Sequence, residues 1–302
     1  MALAPAEGFP YNGAATGTGS PWTESAANGA VKRGGMITHW LVGSAMLVGV
    51  VIGSFLNVCI HRLPERQSLV WPGSRCPQCA AAIRWYDNIP LLSYLWLWGR
   101  CRDCRGRISG RYPLVEALNA IGYGLIAWRF GTTATALVYA SLFSALLVVS
   151  FIDLDHMIVP DRITLPGMAL GLVVGSWLLP RWWESLAGLV VGGGLLYFIA
   201  WISPYLFGKE GMGGGDIKLL AMIGAFLGWK PVLLTVVLGA LLGSIVGVTL
   251  MAARVIARES YLPFGPFLSL SAVVVMLYGT EIWSWYDSTF MVIPGVLREG
   301  AP

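Results

Sequence analysis

Residues 134–152 read ATALVYASLFSALLVVSFI, a stretch of 19 residues without a charged side chain. A helix of about 20 apolar residues, rising 1.5 Å per residue, crosses the ~30 Å hydrocarbon core of a bilayer. Seven other stretches qualify or nearly do, and no alternation typical of strands is present. The chain is therefore predicted to be an all-α polytopic membrane protein with about eight transmembrane helices. The predicted spans are residues 38–60, 112–130, 134–152, 162–179, 184–205, 216–230, 232–253 and 264–285, and the boundary near Pro231 is the least defined.

The composition supports this class and excludes others. Of the 302 residues, 56% are hydrophobic and 12% are charged, about half the usual ~25%, which does not suit a water-soluble enzyme. Most of the 38 glycines lie inside apolar runs, where glycine permits close packing of membrane helices. The net charge of +4 is small and concentrated in one loop, so nucleic acid is not an expected partner.

The distribution of basic residues predicts the topology. The loop from His61 to Arg111 holds nine arginines against three acidic residues, and the positive-inside rule places such a loop in the cytoplasm. Alternation of the spans then puts 14 of the 20 Lys and Arg residues in cytoplasmic segments. The N-terminus is expected outside.

Four regions follow from these patterns. Residues 1–35 are predicted to be a disordered tail, because they contain almost no large aliphatic side chains. They lack the features of a signal peptide, and Met36 is an alternative start of translation. Residues 36–111 comprise the first span and the cytoplasmic loop, residues 112–290 form the main transmembrane domain, and residues 291–302 form a C-terminal tail.

Four cysteines predict a metal site in the cytoplasmic loop. Cys76 and Cys79 are followed, after 21 residues, by Cys101 and Cys104. Two such Cys-x-x-Cys pairs suit one tetrahedral zinc ion, so the loop is predicted to be a four-cysteine zinc-binding domain. A redox-active pair and unliganded thiols remain as alternatives.

Acidic residues at the ends of membrane spans are candidates for function, because burying a carboxylate in a bilayer is costly. One group, Asp153, Asp155 and Asp161, lies between the third and fourth spans, and Asp216 opens the sixth. Both groups are predicted on the cytoplasmic side, where two carboxyl groups that share a proton could form the acid and base of an aspartic peptidase. Helix N-capping by Asp161 and Asp216, or ion and proton coupling, are the alternatives.

Taken together, the motifs resemble the bacterial type IV prepilin peptidases, bifunctional leader peptidases and N-methyltransferases of the GxGD aspartic class. The resemblance covers about residues 40–270. Its motifs are Gly53-Ser-Phe-Leu-Asn57-Val, Arg62-Leu-Pro64, the two cysteine pairs, Ile83-Arg-Trp-Tyr-Asp87-Asn-Ile-Pro90, Arg111-Tyr-Pro-Leu-Val-Glu116, Phe151-Ile-Asp153, Pro160-Asp161 and Gly213-Gly-Gly-Asp216-Ile-Lys218.

The resemblance implies that Asp153 and Asp216 are the catalytic residues. Asp155 is the nearest rival of Asp153, or a residue that orients it. Asp161 and Lys218 are possible supporting residues: capping accounts for Asp161, whereas Lys218 either influences the dyad or anchors its helix at the lipid interface. Gly213 and Gly215 are expected to let a peptide backbone approach Asp216 closely.

The resemblance also implies substrates and a second activity. The expected substrates are prepilins and pseudopilins at the inner membrane, with a basic leader in the cytoplasm and an apolar helix in the lipid bilayer. Members with a long four-cysteine loop also methylate the new N-terminus with S-adenosylmethionine, which implicates Gly99, Arg100 and Glu116 in binding that methyl donor. The sequence contains no Gly-x-Gly-x-x-Gly turn of a Rossmann-type site.

Two other functions fit the same patterns. An intramembrane protease of the presenilin type would need its aspartates deeper within the spans. A proton-coupled transporter with a regulatory zinc loop would need two halves with repeated hydropathy, and none is convincing.

Overall fold

The fold is described from a computed structural model, which covers residues 35–207, 213–255 and 262–291. The predicted tails lie outside these residues except for Gly35 and Met291. Parts of the predicted cytoplasmic segments 206–218 and 254–263 lie outside them as well.

The described residues form nine α-helices, with no β-strand among them. Two isolated β-bridges occur in the cysteine loop, together with a short 3₁₀ helix, Trp85–Asn88. A π-helix, Asp287–Met291, ends the described chain. The all-α prediction is confirmed. The helices are α1 (Gly35–Arg62), α2 (Leu92–Trp96), α3 (Arg111–Phe130), α4 (Ala134–His156), α5 (Asp161–Leu178), α6 (Trp182–Phe207), α7 (Gly214–Leu227), α8 (Trp229–Ala252) and α9 (Gly265–Tyr286).

All of these helices except α2 coincide with the eight predicted spans. Five of them, α1, α4, α6, α8 and α9, are long and apolar enough to cross a membrane. The remaining three, α3, α5 and α7, are shorter or less apolar. The chain therefore has the helix pattern of a polytopic membrane protein.

Helix α7 is short and is enclosed by protein. Its 14 residues span about 21 Å at 1.5 Å per residue, which is less than the hydrocarbon core. Every residue from Leu219 to Leu227 is buried, and the helix packs against α5, α6, α8 and α9. The sequence prediction ended this span at residue 230, but Gly228 breaks the helix with a φ of 88°, which glycine adopts readily.

Glycines bring the helices close together, as predicted. The backbones of α6 and α7 approach each other at Gly188 and Gly224, where a Cβ on either residue would collide with the other glycine. Helices α1 and α3 meet in the same way at Gly53, where a Cβ would lie 2.7 Å from Cα of Glu116. These approaches fix how closely α6 packs on α7 and α1 on α3.

Candidate active site and metal centre

The two aspartates lie at helix ends that the fold brings together. Asp153 is in the last turn of α4 and is 5% exposed. Asp216 is the third residue of α7 and is partly buried. Their carboxyl groups are close enough to interact electrostatically, so α4 and α7 place the predicted pair at one end of the helix bundle.

A third helix end completes this arrangement. The backbone N–H of Gly265, the first residue of α9, donates a hydrogen bond of 2.9 Å to Oδ2 of Asp153. A Cβ at Gly265 would lie 2.6 Å from the same oxygen, so only glycine fits at this position without a shift of the carboxylate. Gly265 was not among the residues predicted from the sequence, although a glycine just before Pro266 at the start of an apolar run is a signal for such a close approach.

The glycines before Asp216 differ in their surroundings. A Cβ on Gly215 would lie 2.8 Å from Cβ of Val159 in the α4–α5 connection, whereas Gly213 and Gly214 face open space. Gly215 therefore lets the start of α7 pack against the chain that follows Asp153. Gly213 precedes α7 with φ −74° and ψ 142°, a conformation open to any residue.

Asp155 points away from this site. Its carboxylate forms an ion pair with Arg111, the first residue of α3. Nη2 of Arg111 also donates a hydrogen bond of 2.9 Å to the carbonyl of Phe151. Residues that are two positions apart in a helix differ by about 200° around its axis. Asp155 therefore joins α4 to α3, while Asp153 faces α9.

The capping alternative for Asp161 and Asp216 does not hold. The N-cap residues of α5 and α7 are Pro160 and Gly213, and neither makes a side-chain capping hydrogen bond. The Asp161 carboxylate instead accepts a 2.7 Å hydrogen bond from Nζ of Lys218. This exposed ion pair joins α5 to α7 at Lys218, two residues after Asp216.

The four loop cysteines converge on one point. Each of the four Sγ atoms lies within 4.8 Å of the others, and those of Cys76 and Cys104 are 3.9 Å apart. A tetrahedron with Zn–S bonds of about 2.3 Å has edges of about 3.8 Å, so the four sulfurs fit a zinc ion. Backbone hydrogen bonds from Cys79 and Gln78 lower the pKa of the Cys76 thiol to about 7, which favours the thiolate that metals bind.

The two cysteine pairs repeat one backbone structure. The first cysteine of each pair, Cys76 or Cys101, makes the same two backbone hydrogen bonds. Its N–H donates to the carbonyl of the residue five positions later, and its carbonyl accepts from the N–H of the residue four positions later. The residue four positions after the first cysteine has a positive φ in both, Ala80 at 56° and Arg105 at 59°. Each pair is also closed by a β-bridge of matching position. The spacing of the cysteines predicted that they share one site but did not predict this structural repeat.

An ion pair ties the second cysteine pair to the 3₁₀ helix. Nε and Nη2 of Arg102 donate hydrogen bonds of 2.8 and 2.6 Å to the two carboxylate oxygens of Asp87. These bonds hold the pKa of Asp87 below its usual value. The Arg102 guanidinium also lies over the ring of Tyr86, so this part of the loop is fixed on both sides.

A cleft of about 660 Å³ lies between the cysteine loop and helices α1 and α3. Glu116 lies at its wall and is buried, and Oε2 of Glu116 accepts a 2.8 Å hydrogen bond from the N–H of Leu91. The other predicted donor-binding residues are not part of this wall. Gly99 has a φ of 64° and packs against the ring of Tyr94, which does line the cleft, and Arg100 is exposed in a β-bridge with Arg107.

The fold and these two sites define a helical membrane protein with a pair of aspartates at converging helix ends and a four-cysteine cluster that fits a metal ion. Two family models match the chain: the bacterial peptidase A24 N-terminal domain over residues 47–130 and the type IV leader peptidase family over residues 140–248. The chain belongs to the type IV leader peptidase family. It is therefore an enzyme, and the transporter alternative is set aside.

Curated relatives agree with this assignment. A prepilin leader peptidase/N-methyltransferase of Pseudomonas putida is 41% identical over 271 residues, 81% of this chain and 93% of the relative. One of Pseudomonas aeruginosa is 39% identical and covers 80% and 91%, and one of Burkholderia pseudomallei is 36% identical and covers 88% and 94%. No solved structure matches the chain significantly.

Proposed function

We propose that this enzyme removes the leader peptide of type IV prepilins and pseudopilins and then N-methylates the new N-terminal residue. The observation that carries the peptidase proposal is the placement of Asp153 and Asp216 at the ends of α4 and α7, near enough for their charges to interact, in a chain that belongs to the leader peptidase family. Both aspartates lie in terminal turns. That position suits a scissile bond at the membrane surface better than the deep cleavage of a presenilin-type protease.

The hydrolysis needs one carboxylate and one carboxylic acid. The N–H of Gly265 bonds Oδ2 of Asp153 and stabilises its ionised form, so we assign Asp153 as the base and Asp216 as the acid. Asp153 takes a proton from water as the water oxygen bonds to the peptide carbonyl carbon. Asp216 donates its proton to the carbonyl oxygen, giving a gem-diol. The C–N bond then breaks as the nitrogen takes up the proton held by Asp153, and one gem-diol hydroxyl returns its proton to Asp216, which restores the pair. The products are a carboxyl group on the leader and an amine on the pilin.

The remaining acidic and basic residues near the dyad are assigned positioning roles. Gly215 lets α7 approach the α4–α5 connection, the Asp155–Arg111 pair fixes α4, and the Asp161–Lys218 pair fixes α5 against α7. Gly213 leaves open space beside the dyad for a substrate backbone. Substitutions of Gly215, Asp155, Asp161 and Lys218 test the roles of those residues.

We place the enzyme in the bacterial inner membrane, with the cysteine loop and both aspartates facing the cytoplasm. The nine arginines of residues 61–111 support that orientation through the positive-inside rule. A prepilin leader with basic residues would then stay in the cytoplasm while the apolar helix of the pilin lies in the bilayer. The bond between leader and helix would reach the dyad at the interface.

The cleft beneath the cysteine loop is the proposed site of S-adenosylmethionine. Its volume, about 660 Å³, falls within the ~300–1,000 Å³ of small-molecule sites. Its wall combines the carboxylates of Asp103 and Glu116 with the rings of Tyr94 and Tyr112, which suits a ligand with a cation, a diol and an aromatic base. When bound, the donor supplies an activated methyl group. We propose that Glu116 holds a polar or cationic group at the inner wall, while Gly99 and Arg100 act indirectly by shaping the turn behind Tyr94.

We propose zinc as the ion of the four-cysteine site, with a structural role. The four Sγ atoms belong to two matching turns that are separated along the chain, so the ion would hold the halves of the loop together.

Mass spectrometry of a prepilin incubated with the purified enzyme tests both activities separately. We expect loss of the leader without added donor, and one additional methyl group on the mature product when S-adenosylmethionine is present. A prepilin that keeps its leader would refute the peptidase proposal. A cleaved product that never gains the methyl group would refute the methyltransferase proposal alone.

A further inference from the structure

The cysteine loop exposes large apolar side chains in a region that the charge pattern assigns to water. In α2, Leu92, Leu95 and Trp96 occupy positions i, i+3 and i+4 and share one face of the helix. Trp96 is 80% exposed, and Trp98, just after the helix, is 88% exposed. A cluster of this kind, unlike single exposed residues, indicates an interaction surface. We call these four residues the α2 face.

The position of α2 relative to the membrane helices follows from one hydrogen bond. The N–H of Leu91, immediately before α2, donates to Oε2 of Glu116 on α3 at 2.8 Å. Glu116 in turn lies against Gly53 of α1, where a Cβ would be 2.7 Å from Cα of Glu116. Gly53 is nine residues before the end of α1 at Arg62, about 13 Å along the helix axis.

Helix α2 therefore starts beside the membrane helices, more than two turns inside the end of α1. It does not lie on the side of the loop that faces away from the membrane helices. The α1 segment beside it belongs to a span, Thr38–Arg62, that is apolar enough to cross the bilayer. At this level the surroundings of an exposed side chain are lipid headgroups and the first part of the acyl chains.

The chemistry of the loop suits that environment. Tryptophan prefers the membrane interface, where its ring is buried and its N–H stays near polar groups. The same loop has nine arginines against three acidic residues, and basic segments are attracted to the surface of anionic membranes.

We propose that the α2 face inserts into the interfacial region of an anionic bilayer and holds the cysteine loop against the membrane surface. The loop would then be fixed at both ends by α1 and α3 and in its middle by lipid. Its cleft would open at the level where an apolar helix leaves the bilayer. The proposal depends on the membrane class of the chain and stands apart from either enzymatic activity.

Photo-crosslinking of the full chain tests the proposal. p-Benzoylphenylalanine replaces Trp96 in one variant and the exposed Arg105 in a matched control, and each is reconstituted in nanodiscs of phosphatidylglycerol and phosphatidylethanolamine. After irradiation, intact-mass spectrometry should show several-fold more lipid adduct at position 96 than at position 105. A bound zinc ion in both variants confirms that the loop is folded.

Two results would overturn the proposal. Equal and low lipid adduct at both positions would show that the α2 face is in water. Covalent dimers formed from position 96 in place of lipid adducts would assign the face to contact between two copies of the chain. The same probe at Trp98, next to α2, must give the result seen at position 96.

Discussion

The backbone N–H of Gly265 hydrogen-bonds Oδ2 of Asp153 at 2.9 Å, although the two residues are 112 positions apart. The contact joins the start of α9 to the end of α4. It also excludes any side chain at position 265, because a Cβ would lie 2.6 Å from the carboxylate oxygen. An aspartate in a catalytic pair must be held within a fraction of an ångström, and here a backbone group supplies part of that restraint.

Gly265→Ala should therefore impair cleavage while leaving the fold in place. The new methyl group must push the Asp153 carboxylate aside, and a displacement of about 1 Å can cost about 100-fold in kcat/KM. Gly279→Ala in the same helix is the control, because its Cβ meets only Val275 of its own helix, at 3.2 Å. Initial rates on a purified prepilin provide the comparison, and equal rates for the two variants would show that Gly265 does not position Asp153.

The dyad itself is tested by Asp153→Asn and Asp216→Asn. An amide oxygen can still accept the Gly265 hydrogen bond, so the Asp153 variant should fold, yet neither amide can exchange the proton that hydrolysis requires. Both variants should leave the prepilin uncut while remaining in the membrane at wild-type levels.

Asp155→Asn separates the two aspartates of α4. It removes only a half-exposed ion pair with Arg111, worth at most about 1 kcal/mol, and cleavage should continue. Complete loss of cleavage in this variant, with normal cleavage in Asp153→Asn, would move the base to Asp155.

Gly215→Ala tests the close approach of α7 to the α4–α5 connection. The added Cβ would lie 2.8 Å from Cβ of Val159, a contact that forces backbone movement beside Asp216. We expect a loss of roughly tenfold or more in kcat/KM. Gly214→Ala is the matched control because open space surrounds it, and its rate should stay near that of the wild type. A Gly215→Ala enzyme as active as this control would show that the contact is dispensable.

The sequence predicted the helices and the chemistry of the sites better than their contacts. The lengths of the apolar stretches alone predicted the positions of eight helices, and the spacing of the cysteines predicted the four-cysteine cluster. Hydropathy could not show that α7 is enclosed, because a helix buried in protein and one facing lipid have the same apolar composition. The predicted span was therefore extended to residue 230. In the structure, Gly228 and the packing around α7 end the helix at Leu227.

The contacts of polar side chains were also beyond sequence reasoning. Asp161 was predicted to cap its helix, but its carboxylate instead accepts a hydrogen bond from Lys218, which is 57 residues away in the chain. Gly265 acts through its backbone, so residue type gave only the weak signal of a glycine before a proline. Such pairings depend on how distant helices pack, and a single sequence does not contain that information.

The Asp161–Lys218 pair should stabilise the fold slightly and leave the chemistry alone. Both side chains are about half exposed, 54% and 41%, and exposed pairs contribute about 0.2–1 kcal/mol. Asp161→Ala, Lys218→Ala and the double variant form a cycle whose coupling energy, from unfolding midpoints, should fall in that range and shrink at high salt. A shift in the pH profile of cleavage in Lys218→Ala, with no such shift in Asp161→Ala, would instead mean that Lys218 acts on the dyad.

Cys76→Ser should remove the metal and loosen the loop. The remaining three sulfurs cannot complete the tetrahedron. We expect about one zinc per wild-type chain by elemental analysis, and a large loss in the variant. Cys59→Ser is the control, because Cys59 is buried in a separate apolar cluster formed by α1, α3 and α4. This variant should keep the zinc content of the wild type. Methylation should fall more than cleavage in Cys76→Ser, since the loop forms most of the cleft wall while the dyad lies on α4 and α7. Purified wild-type enzyme without zinc, or equal losses of the two activities in Cys76→Ser, would contradict this division of roles.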